Sequence, residues 1–229
     1  MTPHFTIYSI LMLTGLGSGF YFWQKAWRKD HRLIGVYISA ILGAVIGAKV
    51  AYLVAEGWMV RNSPAVWEHW LTGKSILGAL LGGYAGVELA KRLVGYKEPT
   101  GDVFAIFVPL GITLGRVGCL LQGCCLGRSC SPEWWSLTDT NGMKRWPAVP
   151  VEVGFNLLFL GLVLLLRRKR LFIGQHFHIY LIAYGAFRFF HEYLRETPKW
   201  PIGFTGYQII ALGVAGWGAV AFALRAKPR

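Results

Sequence analysis

Residues 103–128 read VFAIFVPLGITLGRVGCLLQGCCLGR. The first nineteen are nearly all apolar, close to the 20 or so residues a helix needs to cross the hydrocarbon core of a bilayer. One charge interrupts them, Arg116. An arginine at membrane depth is costly and rare, and it ordinarily faces an interior cavity and holds an anionic partner. In a lipid-embedded chain the anion at hand is a phosphate head group.

The rest of the sequence agrees with a membrane setting. Its 229 residues are 54% hydrophobic and 15% charged, against about 25% charged residues in a typical soluble domain. The chain has too little polar surface to cover itself in water, so an integral membrane protein is predicted. No Pro/Ser-rich or charge-rich linker divides it, which predicts one domain over 1–229. The net charge of +13 does not indicate a nucleic-acid partner. The basic residues form short clusters between apolar runs, and no face or tail concentrates them.

Seven runs have spanning length: 5–23, 34–55, 75–95, 103–121, 151–167, 176–194 and 206–224. The first lacks a basic leader and a small-residue cleavage site, so it reads as a mature helix rather than a signal peptide. The predicted fold is all-α, a polytopic membrane protein of seven transmembrane helices. Of the 24 Lys and Arg, 14 fall at the ends of spans one, three, five and seven or in the gaps after them, and six fall in the other loops. The positive-inside rule then places the N-terminus outside and the C-terminus in the cytoplasm.

Glycines repeat every four residues at Gly78, Gly82 and Gly86, at Gly43 and Gly47, and at Gly111 and Gly115. Small residues at this spacing line one helix face and let backbones approach closely in lipid. Tryptophans 58, 67, 70, 134, 135, 146 and 200 cluster in the predicted outer loops and read as interfacial anchors. Residues 62–71 read as an amphipathic segment lying on the outer surface.

Span six ends FRFFHEYLRE, 187–196. On a continuous helix Arg188, Glu192 and Arg195 share one face, with His191 beside them. A glutamate between two arginines can fix helix packing, but two positive charges against one negative leave a surplus that suits an anion. Planar guanidinium forks suit phosphate in particular. With Arg116 two-thirds along span four, all three guanidiniums are expected toward the outer leaflet. Lys49 in span two either snorkels or adds a fourth positive charge.

The four cysteines, Cys119, Cys124, Cys125 and Cys130, lie within one short stretch. Zinc sites show paired cysteines separated by a longer gap, whereas the middle two here are adjacent, so no metal and no cofactor are expected. A disulfide in an oxidising compartment, simple packing of Cys119, and a thiolate favoured by Arg116 all stay open.

Taken together these motifs resemble the prolipoprotein diacylglyceryl transferases, bacterial inner-membrane enzymes with seven spans. ILGAVIGAK, ending at Lys49, is similar to the family's ILGGIIGAR-type stretch, and GKSILGALLG from Gly73 to its G-x-S-F-H-G-G-L-I-G segment. GRVGCLLQGCCLGR is similar to the GR-I-G-N-F-I-N-G-E-x-x-G-R signature, YGAFRFFHEYLR to Y-G-x-x-R-F-x-x-E-x-x-R, and FTGYQIIAL to L-T-x-G-Q-L-L-S-L. The resemblance implies transfer of a diacylglyceryl group from phosphatidylglycerol to the lipobox cysteine of a prolipoprotein signal peptide, with membrane lipid as the medium. It implies essential roles for Arg116 and Arg188, a supporting ion pair in Glu192 and Arg195, and signature positions at Gly118, Gln122 and Gly127. Tyr8 matches a tyrosine near the start of span one. The family's third-span histidine is Leu77 here, and its signature Asn, Asn and Glu are Cys119, Gln122 and Cys124. The H-P-T-Q-L-Y-E segment is only faintly echoed by VPVEVGFN from Val149. His191 or Glu192 is then the candidate base. Two rival functions follow from the departures: the same donor site serving another acceptor, and a non-catalytic lipid-binding or transport protein.

Overall fold

The computed structural model describes residues 30–226 together with Thr14, Gly17, Gly19, Phe20, Trp23, Gln24 and Arg28. Tyr8 and most of the predicted first span lie outside the described residues. The fold is mostly helical. In chain order come α1 (Arg32–Tyr52), a π-helical segment (Leu53–Gly57), α2 (Val66–Thr72), α3 (Ile76–Leu93) and α4 (Gly101–Leu121). A small antiparallel pair follows, β1 (Leu137–Thr138) with β2 (Lys144–Arg145). Then come α5 (Ala148–Arg168), α6 (His176–His191) with a 3-10 turn (Glu192–Leu194), and α7 (Gly206–Ala226).

Four of these stretches are long and apolar enough to cross a membrane: 32–57, 101–121, 148–168 and 206–225. Each coincides with a predicted span. The spans predicted at 75–95 and 176–194 are also helices, α3 and α6, but α3 carries Glu88, Lys91 and Arg92, and α6 has only 16 residues. The segment read as amphipathic, 62–71, forms the short helix α2. Large aliphatic side chains remain outside: Leu42, Val45 and Ile46 on α1, and Leu158 and Leu164 on α5, are all more than half exposed. Apolar surface of that extent needs a nonaqueous surrounding. The chain is a multi-pass membrane protein.

Chain contacts separate two compact units. Among the described residues, one comprises 99–180 and 193–196, the other 30–98, 181–192 and 197–226. In the second unit α1 packs on α3 through their glycines. A Cβ added at Gly43 would lie 2.3 Å from the Gly82 carbonyl oxygen, at Gly47 2.2 Å from that of Gly78, and at Gly86 2.2 Å from that of Ser39. The backbones touch, as the four-residue spacing predicts. Gly111 behaves otherwise: a Cβ there meets nothing within 4 Å, so it marks no such contact.

Lys49, in the last turn of α1, donates to carbonyls at the C-terminus of α2. Its Nζ bonds the Trp70 oxygen, the Leu71 oxygen at 3.0 Å and the Gly73 oxygen at 2.9 Å. A helix C-terminus leaves its last carbonyls without intrahelical donors and carries partial negative charge, and the ammonium answers both. Two predicted interfacial tryptophans also donate to backbone: Trp70 Nε1 to the Gly57 oxygen and Trp200 Nε1 to the Ala55 oxygen, both 2.9 Å. At the start of α7, Thr205 and Gln208 form a reciprocal cap. The Thr205 amide donates to Gln208 Oε1 at 2.9 Å and the Gln208 amide to Thr205 Oγ1 at 3.2 Å. This is the capping box that T-x-x-Q encodes.

In the first unit α4 packs on α5. α4 continues unbroken through Pro109. Asp102 in its first turn accepts from the Gly174 and His176 amides, at 2.7 and 3.2 Å, and so caps α6.

Candidate active site

Two charged clusters carry the predicted arginines, one in each unit. In the first, Arg116 projects from the last third of α4 and meets Glu152, in the first turns of α5. Its Nε lies 3.0 Å from Glu152 Oε2. Arg195, just after the 3-10 turn, places Nη1 3.9 Å from the same oxygen. Glu152 is fully buried, and the two arginine side chains are 11% and 16% exposed. Two guanidiniums therefore share one carboxylate. An ion buried in a low-dielectric setting must be paired to be tolerated, and the glutamate pairs both arginines.

Glu152 was not among the candidates read from sequence. It is the lone acidic residue of an otherwise apolar span, and such a residue in a membrane helix is itself a signal. It falls in the VPVEVGFN stretch, where the family motif is weakest.

Arg195 lies beyond the end of α6. The α-helix ends at His191, the tighter 3-10 turn covers Glu192–Leu194, and Arg195 then enters an antiparallel bridge with Gly127. Gly127 is the residue this bridge requires. Its amide donates to the Trp146 oxygen at 2.9 Å, and the Arg128 amide donates to the Leu194 oxygen at 2.9 Å. A Cβ at Gly127 would lie 2.6 Å from Trp146 Cβ and 2.7 Å from the Leu194 oxygen. The signature glycine thus admits the strand that delivers Arg195 to Glu152.

In the second unit Arg188 is buried. Its Nη2 donates to Glu192 Oε2 at 2.7 Å and its Nη1 to His191 Nδ1 at 3.0 Å. Because a guanidinium can only donate, His191 accepts at Nδ1 and its neutral ring carries the proton on Nε2. As held, His191 offers a donor rather than a base. The Phe187 ring stacks on it at 4.9 Å between centroids.

Beyond Arg116, α4 ends in a Schellman motif. The Gly123 amide donates to the Leu120 oxygen at 3.1 Å and the Cys124 amide to the Cys119 oxygen at 3.0 Å, with Gly123 at φ +64°. This is the 5→2 and 6→1 pair that a left-handed glycine makes possible. Gly118 is buried one turn before the end, and Gln122 is the cap residue itself, exposed to solvent. All four cysteines are free thiols. The Cys125 thiol is held below the ordinary thiol range by hydrogen bonds from Cys119 and Cys124, with the positive charges of Arg116 and Arg195 adding to the effect.

The loop after the cap is ordered by charge as well. Arg145 Nε donates to Asp139 Oδ2 at 2.9 Å, and its Nη1 bonds Glu196 Oε2. This ties the β1–β2 hairpin to the segment bearing Arg195.

Residues 2–224 match the model of a family described as prolipoprotein diacylglyceryl transferase. The chain is similar to phosphatidylglycerol–prolipoprotein diacylglyceryl transferase 2 of Clostridium perfringens, 28% identical over 79% of this chain and 73% of the relative. It is 31% identical to a phosphatidylglycerol–prolipoprotein diacylglyceryl transferase of Methylibium petroleiphilum over 86% of this chain and 75% of the relative. A Polaromonas protein of that name is 30% identical over 90% and 72%. With the family match running through Arg116, Gly127, Glu152, Arg188 and Arg195, this chain belongs to the prolipoprotein diacylglyceryl transferase family of membrane enzymes.

Proposed function

We propose that this chain transfers the diacylglyceryl group of phosphatidylglycerol to the lipobox cysteine thiol of prolipoproteins, at the outer side of the bacterial inner membrane. The names of its relatives support both substrates. The proposed topology is seven spans in one domain, with the N-terminus outside and the C-terminus cytoplasmic, following the alternation of basic loops. The observation that carries the reading is the gathering of two buried arginines, Arg116 and Arg195, around one carboxylate, Glu152, at the end of a membrane-spanning helix.

In the reaction the acceptor sulfur attacks the glyceryl carbon, a C–S bond forms and the C–O bond to phosphate breaks. The thiol proton leaves and glycerol phosphate departs. Negative charge gathers on the departing phosphate, and a guanidinium aimed there stabilises the transition state more than the ground state. Arg116 takes that role, and Glu152 and Arg195 orient it. Arg188, gripped by Glu192 and His191, is the second essential arginine that the family motif implies. Since His191 is held as a donor, Glu192 is the better candidate to accept the thiol proton. Gly118, Gly127 and Gln122 shape the backbone around Arg116. Tyr8 and Lys49 are assigned to substrate contact from the motif, with Lys49 acting through the α2 terminus it holds.

The test supplies phosphatidylglycerol and a lipobox peptide to the protein in vesicles and follows products by mass spectrometry. The expected product is the peptide heavier by one diacylglyceryl group, with glycerol phosphate in equal amount. Undiminished product from both Arg116→Ala and Arg188→Ala would overturn the scheme. Consumption of phosphatidylglycerol without peptide modification would assign another acceptor.

A further inference from the structure

The end of α4 gathers three thiols. The Sγ atoms of Cys119, Cys124 and Cys125 all lie within 4.8 Å of one another. The local backbone explains how residues so close in sequence achieve this. In a Schellman motif the side chains three positions inside the helix end and two beyond it come into contact, commonly as an apolar pair. Here those two positions are Cys119 and Cys124, joined by the 3.0 Å bond between the Cys124 amide and the Cys119 oxygen. Cys124 Sγ also points back to that oxygen at 3.4 Å. The next residue, Cys125, takes a left-handed conformation, φ +63°, uncommon for a residue with a Cβ. That turn brings its sulfur into the same group. Adjacent cysteines are a poor start for a tetrahedral site on regular backbone, but two positive-φ residues, Gly123 and Cys125 on either side of Cys124, change where the side chains go.

We propose that Cys119, Cys124 and Cys125 form a three-thiolate site for a soft, thiophilic cation of the Zn(II) or Cu(I) class. Thiolate ligands select such ions over hard cations. Three sulfurs bound at about 2.3 Å lie roughly 4 Å apart, so the group closes on an ion by a shift of less than about 1 Å. Three thiolates with one such ion carry net negative charge, and Arg116 and Arg195, whose charges act on Cys125, are of the opposite sign. Three protein ligands leave a tetrahedral ion's fourth position to water or an external thiol, the count of an open site rather than a closed structural one. Cys130 lies outside the group: its amide donates to the Lys144 oxygen beside the hairpin.

The proposal does not depend on which acceptor the enzyme uses, and its test reads binding, not transfer. The full-length protein is purified in detergent, reduced, freed of metal and titrated anaerobically, with Cd(II) followed by its thiolate charge-transfer absorption, and with Zn(II) and Cu(I) as competitors. One ion per chain is expected, with Zn(II) or Cu(I) displacing Cd(II). Cys119→Ser, Cys124→Ser and Cys125→Ser should each weaken binding by about a hundredfold or more, beyond the 10- to 100-fold cost of losing an outer-shell partner. Cys130→Ser should leave the titration unchanged. X-ray absorption on the loaded wild-type chain gives a readout independent of how the variants fold, and should count three sulfur neighbours. Absence of saturable binding at one equivalent, fewer than three sulfurs, or equal loss on Cys130→Ser would overturn the site.

Discussion

Along α1 and α3, two helices meet backbone to backbone at Gly43, Gly47, Gly78 and Gly82, and their contact has no room for a Cβ. Along α4 and α5, the helices meet around Arg116 and Glu152, and the contact is an ion pair with a second arginine on the same oxygen. The first contact is local in its logic: each helix carries its own four-residue stripe, and the stripes need only be placed face to face. The second is assembled from three places, residues 116, 152 and 195, none of which makes sense without the others. A glycine seam gains dispersion contacts and tolerates no added volume. A buried charge group gains little net stability over an apolar core, yet loses heavily when one member is removed. Retaining such a group is a sign that its charge has work beyond packing.

Removing the shared carboxylate should break the second contact most severely. Glu152→Ala leaves two guanidiniums without their common counter-charge, and loss of one member of a buried pair costs about 3–5 kcal/mol. Unfolding in detergent, followed by helix content, should show that loss. Glu152→Gln keeps the volume but not the charge, and should lie between the two. A wild-type unfolding curve from Glu152→Ala would mean that the pair is not holding α4 to α5.

Arg116→Lys separates charge from geometry at the same place. Lysine preserves the positive charge but lacks the planar fork. The variant should keep close to wild-type stability and lose roughly 10²- to 10³-fold in kcat, the effect of removing one oriented donor from a site of developing charge. Equal kcat in the two proteins would reduce Arg116 to a packing residue.

The legibility of the two contacts differs for the same reason. The stripes at Gly43–Gly47 and Gly78–Gly86 were visible as spacing, since close approach depends on a single helix face at a time. Gly111 carries the same spacing with Gly115 and has open space beside it, so spacing proposes a seam but does not select the partner. Arg116, Arg188, Glu192 and Arg195 were legible because ionised groups are rare in apolar runs. Glu152 obeys the same rule and was passed over, its stretch reading as a weak copy of a motif rather than as a charge in a span. The contact of Arg195 with Glu152 was not legible at all. It depends on a bridge to Gly127, more than 60 residues earlier, and on the space that glycine leaves. Likewise the meeting of Cys119, Cys124 and Cys125 follows from a helix cap, which the linear cysteine spacing conceals.

Glycine substitutions sharpen the seam from the other side. Gly82→Ala puts a Cβ 2.1 Å from the Gly43 oxygen, a backbone atom that cannot swing away. Overpacking of this kind costs about 1–3 kcal/mol, and the expected result is a lower unfolding midpoint. Gly111→Ala has no neighbour to strike, and in a helix interior alanine is favoured over glycine by roughly 0.5–1 kcal/mol. The same substitution at the same spacing should therefore change sign between the two helices. A lower midpoint for both would show that Gly111 is packed after all.

The smallest expected effect lies outside the helices, where the charged contact is braced. Asp139 sits in the hairpin loop with its carboxyl held below the usual range, first by the Arg145 guanidinium and then by the Met143 and Asn141 amides. A carboxylate with a depressed folded pKa stabilises the fold fully above its unfolded value, about 3.9. That contribution falls away as pH drops through the lower folded value. The brace is thus intact at neutral pH and lost only in acid. Asp139→Asn should reproduce the acid state at pH 7. Hydrogen exchange of a peptide covering 137–146, corrected for intrinsic rate, should be faster in the variant by less than about fivefold, since a single ion pair in a short loop contributes little. The difference from wild type should close as pH falls below the unfolded value, because both then lack the charge. A difference that persists undiminished at the acid end would place the brace in the backbone hydrogen bonds of the turn rather than in the Asp139–Arg145 pair.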